Sequence, residues 1–78
     1  MWYRINGNLI NMERVVNIYI AGEKSLVFVL NTPIAGASGR DTHFTEFKNV
    51  ETKINFKDTA KRNECFSKLT EALNAVTL

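Results

Sequence analysis

Val15 to Asn31, VVNIYIAGEKSLVFVLN, holds two runs of β-branched, aromatic and aliphatic residues on either side of Gly22-Glu23-Lys24. A short break rich in glycine and charge between two such runs is a hairpin signal. In the first run Val16, Ile18 and Ile20 alternate with Val15, Asn17, Tyr19 and Ala21; in the second, Leu26, Phe28 and Leu30 alternate with Val27 and Val29. The second run is apolar on both faces, and such a strand needs a cover on each. One cover is the C-terminal helix read below. For the other, over Val15, Tyr19, Val27 and Val29, a second copy of the chain is expected, with the N-terminal hairpin folding over it as the alternative. Symmetric pairs are the commonest assembly, and a chain of 78 residues has little core to spare.

Upstream, Trp2-Tyr3-Arg4-Ile5 and Asn8-Leu9-Ile10-Asn11 flank Asn6-Gly7. Asn-Gly supplies the two positive φ angles of a type I′ turn, so strands are expected at about 2–6 and 8–11, followed by 15–21 and 25–31. Thr32 to His43, TPIAGASGRDTH, reads as a loop of roughly a dozen residues. Phe44 to Phe56 alternates again, with Val50, Thr52, Ile54 and Phe56 on one side, which suggests a strand at 44–56, bulged near Asn49. Asp58 or Thr59 can cap a helix over about 59–76 whose stripe is Cys65, Phe66, Leu69, Ala72, Leu73 and Val76. Glu64 and Lys68 sit in the favourable i,i+4 order on its other face.

These elements give one α+β domain over residues 1–78: an antiparallel sheet of four to five strands with one amphipathic helix packed on one face. The face assigned to the helix is Val16, Ile18, Ile20, Leu26, Phe28, Leu30, Val50, Ile54 and Phe56.

Composition bounds the function. Apolar residues at 45% and charged residues at 23% are ordinary globular values. One cysteine, Cys65, precludes an internal disulfide framework and fits a reducing, cytoplasmic setting. No apolar run approaches a membrane span, and no membrane partner is expected. Cys65 and His43 are the only residues with nucleophile-and-base chemistry, yet Cys65 lies on the apolar stripe, where a structural thiol is the plainer reading. One His and one Cys cannot supply a metal site, and the glycines at 36 and 39 lack the Gly-Lys-Ser/Thr ending of a phosphate loop. The expectation is a non-enzymatic protein without cofactor or metal.

The net charge of +2 is small but unevenly placed: from Lys48 to Lys68 six basic residues face three acidic ones. Aromatic residues interleaved with Lys or Arg are what single-stranded DNA or RNA requires, because bases stack and phosphates need counter-charge. The candidate surface is Trp2, Tyr3, Arg4, Arg14, Tyr19, Lys24, Arg40, Lys48 and Lys53. The alternative is a protein-interaction or regulatory module that uses the apolar sheet face or loop 32–43.

Short strands followed by one amphipathic helix resemble the ββββα unit of purine-rich-element-binding (PUR) domains and related Whirly-type single-strand binders. That resemblance implies paired units whose sheet aromatics and basic residues contact single strands, with Trp2, Tyr3, Arg4 and Tyr19 as the matching surface. Ile5 to Asn11 followed by Arg14 to Ile18 also looks like the start of small bacterial and phage proteins and of a flagellar-operon protein, and implies no activity.

Overall fold

The computed structural model describes residues 1–35 and 45–76. The fold is α+β: the described residues form five strands in two antiparallel sheets, with one C-terminal helix packed against the central strand of the larger sheet. The smaller sheet is β1 (Trp2–Ile5) and β2 (Asn8–Asn11), joined by Asn6 and Gly7 at φ 48 and 82. Both angles are positive, as a type I′ turn demands. A 3-10 turn, Met12–Arg14, capped by the Asn11 side chain, leads into β3 (Val15–Ala21). β4 (Ser25–Ala35) and β5 (Thr45–Asn55) complete the larger sheet in the order β3-β4-β5, and α1 spans Thr59–Ala72.

The register shift lies in β3, between Val15 and Asn17, whereas β4 and β5 pair without a shift through Asn49. Val16 is the extra residue. Val15 therefore pairs with Leu30 and packs on the helix side, and Val16 is 57% exposed. This reverses the expected assignment of the two valines, because a bulge moves every residue before it to the opposite face. The core is Ile5, Ile10, Leu26, Phe28, Ile54, Phe56 and Leu69, with Tyr3, Val15, Ile18, Leu30, Cys65 and Phe66 packed around it. Ile20 and Val50, assigned to the same face, stay partly open at its margins.

β4 runs on to Ala35, through residues expected in a loop. Five residue pairs, Asn31↔Asn49 to Ala35↔Thr45, form a two-stranded ribbon of roughly 15 Å beyond the start of β3. Pro33 is compatible with it because, among the described residues, β4 has β5 on one side only there, so no described strand awaits the missing N–H. The rest of the expected loop, 36–43, lies outside the described residues.

Asp58 caps α1 by accepting from the Lys61 amide at 2.8 Å. The helix stops at Ala72, short of the expected 76. Asn74 turns left-handed at φ 54, and the amides of Asn74 and Ala75 return to the carbonyls of Glu71 and Thr70. This pattern closes a helix end, so Leu73 and Val76 fall outside the stripe and are exposed.

Three hydrogen bonds tie the end of β5 and the start of α1 to the β3–β4 turn. The Thr59 hydroxyl donates to the Glu23 carbonyl at 2.7 Å, the Phe56 amide to Lys24 at 2.8 Å, and the Arg62 guanidinium to Ser25 at 3.1 Å. Three successive carbonyls accept these bonds, and Arg62, one of the six basic residues between Lys48 and Lys68, is buried.

Candidate nucleic-acid interface

The expected binding residues divide into separate sets. Trp2 and Arg4 are exposed on β1, Trp2 at 63%; Tyr3, which alternates with them, is half-buried against the core. Tyr19 and Lys53 flank Val27 on the face of the larger sheet away from the helix. Lys24 is exposed in the β3–β4 turn and Lys48 on the ribbon. Arg14, in the 3-10 turn, donates to the Asn31 carbonyl at a long 3.5 Å. Arg40 lies outside the described residues.

The face bearing Tyr19 differs from the open apolar surface expected of it. Tyr19 on β3 and Glu51 on β5 meet by a hydrogen bond of 3.1 Å that crosses above β4. Val27 is 5% exposed beneath this bridge. Asn17, Asn49, Glu51 and Lys53 make the face around the bridge polar and nearly balanced in charge, while Phe47, further along β5, is 64% exposed. The bridge raises the Tyr19 pKa above its ordinary value, first because the hydrogen bond to Glu51 favours the neutral phenol, then through desolvation and the Glu51 charge. Val15, the fourth residue expected on this face, has moved to the helix side through the bulge. Val27 is thus buried by flanking side chains of its own chain, and Val29 is half-buried.

A more concentrated basic site lies between β1 and α1. Two adjoining clefts of about 470 and 340 Å³ share Arg4, Ile5, Cys65 and Lys68 and form one groove. Ile5, Phe56 and Leu69 give it an apolar floor, Arg4, Lys57, Lys61 and Lys68 line it with positive charge, and Trp2 stands at one end. On the helix, Lys61, Glu64, Cys65, Lys68 and Ala72 recur at spacings of three and four, so one flank of α1 faces β1 over roughly 16 Å. Among the described residues Glu64 is the one carboxylate lining the groove, and it pairs with Lys68 at 3.2 Å. Four cations against one anion leave an excess of positive charge in a cleft with low-dielectric walls, which concentrates the field.

Lys57, Lys61 and Lys68 did not stand out individually as site residues in the sequence. The signal was present as the basic excess from Lys48 to Lys68, but nothing local shows that β1, some fifty residues earlier, folds against that helix flank. Cys65 lies in the groove wall. Burial raises its thiol pKa; Lys68 opposes that shift and Glu64 adds to it. A raised pKa lowers the thiolate fraction, contrary to what a nucleophile needs. Among the described residues, no group of His, Cys, Asp and Glu is placed to hold a metal ion, and no helix is long and apolar enough to cross a membrane.

Comparison with protein-family models, with curated proteins and with solved structures finds no match to this chain.

Proposed function

We propose that this chain is a non-enzymatic binding module of the cytoplasm that takes single-stranded nucleic acid in the groove between β1 and α1. The observation that carries this reading is the grouping of Arg4, Lys57, Lys61 and Lys68 around an apolar floor, with the exposed ring of Trp2 at one end. The cations meet successive phosphates, and Trp2 offers a face on which a base stacks, a contact worth about 1–3 kcal/mol. The reading keeps the stacking and counter-charge expected from the sequence but moves them from the open sheet to the groove.

A second reading is favoured by β1 itself. Among the described residues β1 pairs only with β2, which leaves its other backbone edge unpaired, and an extended acidic peptide could add there as a strand. The two ligands differ in what they ask of Trp2. A base stacks on the indole and quenches its fluorescence, whereas a peptide held by backbone hydrogen bonds tolerates Trp2→Ala.

The test is fluorescence anisotropy of labelled single-stranded DNA and RNA oligomers at low and moderate salt. Binding should weaken with salt, each phosphate contact adding about 0.7 to the slope of log affinity against log salt. Lys61→Glu and Lys68→Glu should abolish it, and Trp2→Ala should weaken it about fivefold or more, the lower end of a stacking contact. Absence of binding at low salt would overturn the reading.

A further inference from the structure

β3 is an outer strand. β4 occupies one side of it, and among the described residues no backbone hydrogen bond reaches the other. Its seven residues, VVNIYIA, include no charge and no proline. Native outer strands are usually protected by being short or by carrying charge, and the others here follow that pattern. β1 and β2 have four residues each, and β5 carries Lys48, Glu51 and Lys53. β3 is the one long uncharged edge among the described strands. Along it Val16 and Ile20 are 57% and 47% exposed, and beside it Ile18, Phe66, Leu69 and Leu73 line an apolar cleft of about 280 Å³.

We infer that β3 pairs antiparallel with β3 of a second copy about a twofold axis, joining two three-stranded sheets into one. An antiparallel strand is complementary to itself, because the twofold axis brings the donors of each copy opposite the acceptors of the other. The occupant is a second copy because the edge selects for its own chemistry. It has no charge with which to favour an acidic or basic segment, and an uncharged β-branched strand meets it without electrostatic opposition. The bulge at Val16 twists the start of β3, so the pairing centres on Ile18 to Ile20. The site differs from the sheet face expected in the sequence, where the Tyr19–Glu51 bridge already shelters Val27. It also lies on the opposite flank of α1 from the basic groove: Phe66, Thr70 and Leu73 border the β3 cleft, whereas Lys61, Cys65 and Lys68 border the groove. Pairing therefore leaves both grooves open and is independent of whether they bind nucleic acid.

Light scattering and hydrogen exchange on the intact chain test this. At tens of micromolar the mass should be twice the 8.9 kDa of one chain. Ile20→Lys and, separately, Val16→Lys place charge on exposed β3 side chains and should weaken the dimer at least about tenfold with unchanged circular dichroism. Leu9→Lys, at an exposed apolar residue of β2, should leave the mass unchanged. β3 amides in the parent chain should exchange more slowly as concentration rises. A single-chain mass at tens of micromolar would overturn the inference. So would a dimer that persists in both β3 variants, or one whose β3 amides exchange at the same rate at every concentration. Oligonucleotide binding by the Ile20→Lys monomer reads the groove separately.

Discussion

Arg62 on α1 donates from its guanidinium to the carbonyl of Ser25 at 3.1 Å, and both residues are buried, at 6% and 5% exposure. The side chain reaches from the first turns of the helix to the start of β4, with a second hydrogen bond to Asn63 at 2.8 Å. Arg62→Ala removes a buried hydrogen bond from a charged donor and should destabilise by about 1–3 kcal/mol in urea unfolding. Arg62→Lys should recover only part of the loss, because a single ammonium cannot reproduce the planar fork of donors.

Leu69 is 5% exposed and belongs to the same core cluster as Leu26 and Phe28, which are fully buried. Leu69→Ala should cost about 2–5 kcal/mol, while Leu73→Ala, one turn later but 42% exposed, should cost far less. The contrast, read from denaturant midpoints, checks that the helix packs through Phe66 and Leu69 and closes before Leu73.

The Tyr19–Glu51 hydrogen bond gives a prediction with a definite sign. Because the folded chain raises the Tyr19 pKa, stability from this bond is fully present below the ordinary value of 10.0 and is lost as pH rises through the folded value. In a Tyr3→Phe background, phenolate absorbance should titrate above 10.0 and fall back toward it in Glu51→Gln. Titration at the ordinary value in both chains would show that the bridge does not persist in solution.

For Cys65, burial raises the thiol pKa, Lys68 opposes the shift and Glu64 adds to it. Disulfide exchange at neutral pH should therefore be slower than for a cysteine in an unfolded peptide. Glu64→Gln should speed it and Lys68→Gln should slow it. An oligonucleotide seated in the groove should slow it further, since Cys65 lines both clefts.

Much of the fold could be read from local pattern. Asn6-Gly7 and the interrupted apolar run from Val15 to Asn31 set two hairpins, and the Phe66–Leu69 spacing set the helix. What escaped was contextual. Val15 and Val16 are equally apolar, so either phase of β3 satisfies alternation, and only the pairing with Leu30 shows which one faces inward. Pro33 reads as a strand breaker until β4 is seen to have a single neighbour at that point among the described residues. Asn74 ends the helix through a backbone angle that its side chain tolerates but does not announce. At the candidate site, Trp2 and Arg4 were legible from their types. The lysines that face them across the groove were not, since their grouping arises only when β1 folds against α1. The apolar excess of β4 was real, but its second cover is supplied in part by a tyrosine and a glutamate from the flanking strands.

The three hydrogen bonds from Thr59, Phe56 and Arg62 to Glu23, Lys24 and Ser25 change the meaning of the turn they grip. Exposed tips between strands are usually where a chain tolerates cleavage, foreign insertions or new termini. The 22–24 turn is exposed by every residue, yet its carbonyls are anchor points for a helix that begins thirty-odd residues later. Opening the chain there would separate the last element of the fold from the first strands of its sheet, so this surface loop behaves as part of the interior.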